Sequence, residues 1–262
     1  MLLTPVVLVL AVAQIAGPPA PAATAPAGSE RERYEQCLDL ATSDPGQAER
    51  VALEWRVQGG QYRARQCRAV AYANLGRWAA AAGEFEGAAT EAELAHDAAA
   101  ARYWAQAGNS WLAGGQAMQA RTALDAALAS GNLQGLQLGE AQFDRARTFV
   151  ALGKLGAARA DIDQALKNAG DDPLIWLASA ALARRMGDLP RARSDVAAAF
   201  DKAPEDAATY LEIGNIAAAS GDEAGAQAAW KDAIRFAPAS EAAGAAREAL
   251  KQFDTAATDP KK

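Results

Sequence analysis

The chain has 262 residues, of which 51% are hydrophobic and 6% aromatic, and its formal net charge is −6. Alanine supplies much of the apolar content. Because alanine is the best helix former and fills little core volume, the composition favours an all-α fold with closely packed helices over a sheet. The negative net charge argues against nucleic acid as a partner.

Residues 1–27 have the features of an export signal. Leu2–Ile15 is apolar but shorter than the roughly 20 residues that a spanning helix needs. A Pro/Ala-rich stretch follows it, with small-x-small cleavage sites at Ala11–Ala13 and Ala25–Ala27. No Lys or Arg precedes the apolar run, so an uncleaved N-terminus that anchors the protein to a membrane stays open. We predict a periplasmic or secreted protein with no membrane span after cleavage.

Residues 29–60 contain two helical patterns separated by a turn at Asp44–Gly46. We predict that they form an atypical first unit, whose register the sequence does not fix. The residues that mark the two helices are Tyr34, Cys37, Leu38 and Ala41, then Ala48, Val51, Ala52 and Trp55.

One pattern recurs over the rest of the chain and is clearest in residues 207–240. Tyr210 and Gly214 lie on one face of a first helix, Gly221 breaks the pattern as a turn would, and Trp230 lies in a second helix that Pro238 ends. Small residues at the seam allow the two helices to approach closely. The same pattern occupies residues 62–95, 101–134, 139–172 and 173–206. The turn glycines recur at one point of the unit, as Gly76, Gly115, Gly153, Gly187 and Gly221.

This order of residues resembles the tetratricopeptide repeat (TPR), a helix–turn–helix unit of about 34 residues. The resemblance implies a right-handed α-solenoid over residues 29–253, with insertions at 96–100 and 135–138. An amphipathic helix over 240–253 would cap the stack, and we predict a disordered tail over 254–262.

The two cysteines, Cys37 and Cys67, lie on successive first helices, which pack side by side in a TPR stack. An even number of cysteines in an exported protein favours a disulfide. Two small, buried, free thiols are the alternative.

No pattern in the sequence nominates a catalytic, metal or cofactor site. The single histidine, His96, lies beside an acid in an insertion, where we expect it to be solvated. There is no cluster of metal ligands, no phosphate-binding loop and no Gly-x-Ser-x-Gly motif, so we predict a non-enzyme without cofactors. Four tryptophans fall on repeat core positions, which favours packing over a ligand cage, whereas Trp55 and Trp78 stay unplaced. The four are Trp104, Trp111, Trp176 and Trp230.

TPR proteins in general are binding scaffolds, and their first helices line a concave surface, mainly through positions 2, 5, 9, 12 and 13 of each unit. In this sequence such positions supply Arg63, Arg102, Asn109, Phe143, Arg147, Leu177, Arg184, Arg185 and Asn215. We therefore predict a partly basic groove for a protein or peptide partner, which would present an acidic segment or its own C-terminus. Position 5 never holds Lys, so the sequence departs from the chaperone-binding TPR pattern.

Two acidic residues near these positions, Asp144 and Glu212, would neutralise part of the groove's charge. The alternative function is a structural component that self-associates into homo-oligomers through the edges of its repeats and has no dedicated ligand.

Overall fold

The computed structural model describes residues 29–258, with side chains as far as Gln252. The predicted export segment at residues 1–27, and residues 259–262, lie outside the described residues. The described part contains thirteen α-helices and no strand. In sequence order they are α1 (Glu30–Ser43), α2 (Pro45–Val57), α3 (Gln61–Asn74), α4 (Trp78–Leu94), α5 (Ala100–Ala113), α6 (Ala117–Ala129), α7 (Gly135–Ala151), α8 (Leu155–Ala169), α9 (Pro173–Arg185), α10 (Leu189–Lys202), α11 (Ala207–Ala219), α12 (Glu223–Phe236) and α13 (Glu241–Thr258).

Consecutive helices form pairs that pack against each other and against the next pair. Each of the five pairs from α3 to α12 is joined by a three-residue turn, such as Leu75–Arg77 and Ser220–Asp222. The predicted fold class, an all-α solenoid of helix–turn–helix units, is confirmed. No helix within residues 29–258 combines the length and the apolar character that crossing a bilayer requires.

The glycine at the centre of each of these five turns has a left-handed backbone. Its φ angle is +69° at Gly76 and +78° at Gly221, a region that glycine enters without steric cost. The next amide then turns back to the helix, as when the Arg77 N–H donates to the Tyr72 carbonyl at 2.8 Å. The recurrent glycines of the sequence therefore mark equivalent turns, at Gly76, Gly115, Gly153, Gly187 and Gly221.

Aspartates begin the four helices from α9 to α12. The Asp206 side chain accepts from the Thr209 amide at 2.8 Å, and the Asp222 side chain accepts from the Gly225 amide at 2.9 Å. Each cap satisfies a backbone donor that the first helical turn leaves unpaired. The other two caps are Asp172 and Asp188.

The two helices of a unit approach most closely at a small residue of the first helix. Gly214 and Gly108 are buried there, and the equivalent residues Ala146 and Ala180 are fully buried. A Cβ atom on Gly214 would lie 2.4 Å from Trp230 Cδ1, closer than any ordinary contact. The predicted close packing at these four positions is confirmed.

A second seam inside the units is polar in some units and apolar in others. Three units join a first-helix residue to an acid sixteen positions later on the second helix: Arg68–Glu84, Arg145–Asp161 and Ser179–Asp195. In the 101–134 unit the same two positions hold Ala107 and Ala123, which share an apolar cluster. In the 207–240 unit they hold Ile213 and Ala229. The residues at these two positions are therefore matched within each unit, and each of the three acids has a partner on the first helix of its own unit.

The first unit is fastened to the second by a disulfide. Cys37 on α1 and Cys67 on α3 form the bond, with Cα atoms 5.9 Å apart and both side chains buried. The predicted disulfide is confirmed, and the free-thiol alternative is wrong. Closing a loop between cysteines 30 residues apart stabilises a fold by about 3–4 kcal/mol in the chain-entropy model. Trp55, fully buried, packs in the same cluster.

Two helices are longer than the sequence pattern indicated. Residues 135–138, predicted as an insertion with a loop, form the first turn of α7, where Leu138 packs against the cluster that contains Leu133. The last helix, α13, packs on α11 and α12 and continues to Thr258 rather than 253. Residues 254–258 of the predicted disordered tail are therefore helical.

We expect Gly214→Ala to lower the free energy of unfolding by about 1–3 kcal/mol relative to Gly83→Ala. Both changes replace a helical glycine and so share the same gain in helix propensity. The new methyl group at position 214 meets the Trp230 ring, whereas a Cβ on Gly83 meets nothing within 4 Å. Urea unfolding of the two variants measures the difference, and equal stabilities would contradict the assigned packing.

Arg145→Ala is expected to destabilise the protein by about 3 kcal/mol, because it leaves the buried Asp161 carboxylate unpaired. The double variant Arg145→Ala/Asp161→Ala reproduces the alanine pair of the 101–134 unit and should recover part of this loss. Thermal unfolding of the parent and both variants checks the order. A double variant less stable than Arg145→Ala would show that polar and apolar pairs are not interchangeable.

Candidate functional site

The odd-numbered helices lie side by side along the chain, and the surface of α3, α5, α7, α9 and α11 that carries the two hollows described next is called the groove. They contact one another directly, for example α5 with α7 and α9 with α11. A cavity of about 580 Å³, the N-terminal hollow, lies between α3, α5 and α7. A second cavity of about 470 Å³, the C-terminal hollow, lies between α7, α9 and α11. Phe143 is part of the lining of both hollows.

The N-terminal hollow combines polar walls with aromatic side chains. The predicted residues Arg102 and Asn109 line it, and the aromatic rings come from Trp78, Phe85 and Phe143. Its remaining polar side chains are those of Asn74, Gln106, Ser110, Gln137, Glu140 and Asp144. The lining thus offers amide groups, which can both donate and accept hydrogen bonds, beside carboxylates and aromatic rings.

Asp144 lies between the two hollows and is held by neighbouring side chains. It accepts from Asn109 Nδ2 at 2.8 Å and from Arg147 Nη1 at 3.1 Å. Burial raises the pKa of the Asp144 carboxyl, and the hydrogen bond from Asn109 and the Arg147 charge oppose that rise. Two predicted partner-binding residues therefore bind this acid inside the protein.

The C-terminal hollow is mostly apolar. Leu177, a predicted site residue, and Leu174 lie one helical turn apart on α9, and Leu174 is 58% exposed. Phe143 closes the hollow on the α7 side, and Arg147 and Glu212 supply its charged groups. An exposed leucine beside a half-buried leucine and an aromatic ring offers a surface for apolar side chains.

Arg184 and Asn215 use their polar groups within the fold. Arg184 forms a bidentate pair with Glu212, through Nε–Oε1 at 2.7 Å and Nη2–Oε2 at 3.1 Å. Asn215 donates to Glu212 Oε2 at 3.3 Å, and its oxygen accepts from Trp230 Nε1 at 3.2 Å. Glu212 is 6% exposed, so this pair neutralises a buried acid.

The remaining predicted arginines are solvent-exposed. Arg63 on α3, Arg102 on α5 and Arg185 at the end of α9 form no ion pair with any residue in the described part of the protein. Arg147 and Arg184, in contrast, are paired with Asp144 and Glu212. Among the predicted site residues, the positive charge that no ion pair compensates therefore lies at Arg63 and Arg102 at one end of the groove, and at Arg185.

Sequence reasoning missed Trp78, because this residue lies on a second helix and position counting assigned the groove to first helices. It lines the N-terminal hollow and is 38% exposed. Gly114 permits this placement, since a Cβ there would lie 3.1 Å from Trp78 Cβ. The other tryptophans are held by the fold, Trp55 by complete burial and the rest by indole hydrogen bonds to Glu93, Glu86, Gly170 and Asn215.

Asp144 and Glu212 lie at equivalent positions on α7 and α11, and replacing each with its neutral amide should change the stability of the protein in opposite directions. The pKa of Asp144 is raised above its ordinary value of 3.8, so the stability gained from its protonation is present below pH 3.8 and is lost as the pH rises through the raised pKa. We expect Asp144→Asn to be at least as stable as the parent at pH 7. Glu212→Gln breaks the bidentate pair with Arg184 and should cost about 1–3 kcal/mol.

Thermal unfolding of both variants at pH 7 and pH 4 measures these effects. The advantage of Asp144→Asn over the parent should shrink as the pH falls from 7 to 4, because the raised pKa makes the parent carboxyl easier to protonate. A less stable Asp144→Asn variant at pH 7 would contradict the assigned effect of burial on this carboxyl.

No protein-family model matches the sequence, and no curated protein matches it at a significant level. Solved structures do resemble it. PilW, a widely conserved type IV pilus biogenesis factor, matches with a TM-score of 0.69 and 18% identity over 81% of this chain and 96% of that chain. PilF of Pseudomonas aeruginosa matches with a TM-score of 0.67 and 16% identity over 85% of this chain and 99% of that chain.

YrrB, described as a TPR protein with an unusual peptide-binding site, matches with a TM-score of 0.55 and 20% identity over 72% of this chain and 91% of that chain. At such identities the likeness concerns the fold alone. The helix pairs, their recurrent turns and these neighbours agree with the resemblance stated from the sequence, and the protein has the fold of a tetratricopeptide-repeat protein.

Proposed function

We propose that the protein is a non-catalytic interaction scaffold that holds a peptide, or a segment of a partner protein, in the groove lined by its odd-numbered helices. The observation that carries the proposal is that a polar and an apolar hollow lie next to each other on the odd-numbered helices and share the Phe143 side chain. Together they offer polar walls and an apolar wall along one path. The description of YrrB as a TPR protein with a peptide-binding site supports the same use of the fold.

The groove's chemistry matches what an extended segment presents. Gln106, Asn109 and Gln137 supply amide groups that can donate to and accept from a backbone. Leu174 and Leu177 supply apolar surface for side chains, whose burial contributes about 25 cal/mol per Å². The apolar hollow would supply most of the affinity, and the hydrogen bonds in the polar hollow would fix the position of the segment along the groove.

The ends of the stack favour this function over self-association through repeat edges. The first helix carries exposed Glu30, Arg31 and Glu35, and the last carries exposed Arg247 and Glu248. Charged outer faces keep solenoid ends solvated. Joining two such ends would desolvate these charges at a cost that exposed ion pairs repay poorly.

We further propose that the protein works in the cell envelope or outside the cell. The Cys37–Cys67 disulfide supports an oxidising compartment. The apolar run Leu2–Ile15 supports export, either with cleavage or with the run retained as an anchor.

Site-specific photocrosslinking tests the proposed groove. A photoreactive amino acid is placed at Leu174 in the groove, or at Leu94 on the outer helix α4, where the side chain is 78% exposed. Cells that express each variant are irradiated, and the crosslinked products are identified by mass spectrometry. We expect one defined partner at position 174 and none of it at position 94.

The same products separate the proposal from its alternative. Crosslinks between copies of this protein, together with a mass in sedimentation equilibrium that rises above the monomer, would favour the self-associating component. Equal crosslinking of the same partner at positions 174 and 94 would contradict a role for the groove.

A further inference from the structure

We propose that a carboxylate of the bound segment docks between Arg63 and Arg102, at the α3–α5 end of the groove, with the segment's apolar side chains directed to the C-terminal hollow. This inference rests on the proposed function and names the chemistry of the partner. It places the binding site for the acidic group at the α3–α5 end of the groove, and not at Arg147 and Arg184 in the middle.

The helix starts that carry the two arginines lie side by side, because the rings of the neighbouring residues Tyr62 and Tyr103 have centroids 6.0 Å apart. Both arginines are exposed, and they occupy the same position on successive first helices. Burial raises the pKa of the Tyr34 hydroxyl, and the positive charges of Arg102 and Arg63 both oppose that rise. Arg63 also lies over the Tyr62 ring, 5.5 Å from its centroid, which restrains its orientation.

Asp97, the acid near both arginines, accepts its hydrogen bonds from groups other than the arginine N–H donors. Its Oδ2 accepts from the Tyr62 hydroxyl at 2.7 Å, and its Oδ1 accepts from the Ala99 amide at 2.9 Å. These bonds lower the pKa of Asp97, led by the bond from Ala99. Neither Arg63 nor Arg102 forms an ion pair with it. Each guanidinium has five N–H donors, and a carboxylate can take two of them side by side.

The insertion between the 62–95 and 101–134 units builds this arrangement. It places Asp97 against Tyr62 and begins α5 at Ala100, so that Arg102 projects from the first turn of the helix. The site is therefore a product of this protein's irregular joint, which adds residues that the regular repeat lacks.

The middle of the groove is a poor place for an incoming carboxylate. Arg147 is already bound by Asp144, and Arg184 is already bound by Glu212 in a bidentate pair. An external acid would have to displace a carboxylate of the protein there. Glu140, exposed on α7 in the lining of the N-terminal hollow, repels a second acid placed beside it. These charges favour one orientation of the segment.

Selection from a peptide library tests the inference. The full-length protein is immobilised and exposed to random peptides of about twelve residues, in one arm with a free C-terminus and in the other with an amidated C-terminus. We expect the selected peptides to combine acidic and apolar positions. Acids enriched in both arms indicate side-chain carboxylates, and selection only with the free C-terminus indicates the terminal carboxylate. Either result supports the proposal.

Variants then locate the contact, with fluorescence anisotropy of the best selected peptide as the measurement. Arg63→Gln and Arg102→Gln should each weaken binding about tenfold or more, because each removes a charge-assisted hydrogen bond. Arg50→Gln is the matched control: it removes one exposed arginine from the outer helix α2 at the same end of the solenoid, and it should leave affinity unchanged. Raising the salt concentration should weaken binding to the parent and have less effect on the two groove variants.

The outcomes separate this inference from the function on which it rests. Selected peptides without acids, or unchanged affinity in Arg63→Gln and Arg102→Gln, overturn the carboxylate site. If the carboxylate site is overturned in this way but Leu174→Asp abolishes the binding of the same peptides, the groove is still the binding site. A selection that yields no peptide, in either arm, overturns both proposals. The three exposed arginines make few contacts in the fold, so circular dichroism should confirm that all the arginine variants stay folded.

Discussion

The close approach of the two helices in each unit is the constraint on which the rest of the structure depends. Gly214 against Trp230, and Gly108 against Leu124, leave no room for even a methyl group on the first helix. Ala146 and Ala180 are fully buried at the equivalent places. Since alanine and glycine fill so little of each core, a few large side chains decide how the units stack, and any shift at these contacts would move the first helices that form the groove.

Buried polar pairs add a second level of specification within the units. Asp161 is matched by Arg145 and Asp195 by Ser179, whereas the 101–134 unit uses alanine at both places. A helix from one unit cannot replace its counterpart in another without leaving a carboxylate unpaired or an arginine buried against apolar surface. Units with similar backbones are therefore not interchangeable, which favours a single order of stacking.

The same rule of internal pairing shapes the groove. Two acids that first helices bring to the groove are bound by the protein itself, Glu212 by Arg184 and Asp144 by Asn109, whereas Glu140 is exposed. Positive charge stays uncompensated only where no acid is in reach or the nearest acid is bound by other donors. The groove's charge is thus decided by pairing between units, and a count of its arginines overstates how basic it is.

The sequence by itself determined the repeats, their glycine turns and the small residues of the seams, because each follows from local geometry that recurs every 34 residues or so. It favoured a disulfide between Cys37 and Cys67, and the structure decided against free thiols. The sequence also placed five of the residues that line the two hollows, namely Arg102, Asn109, Phe143, Arg147 and Leu177. Only the tertiary structure decided which of them are available to a partner. The pairing of Arg147 and Arg184, the placement of Trp78 and the position of Asp97 beside Tyr62 depend on side chains from different helices meeting in space, which no periodicity along a sequence encodes.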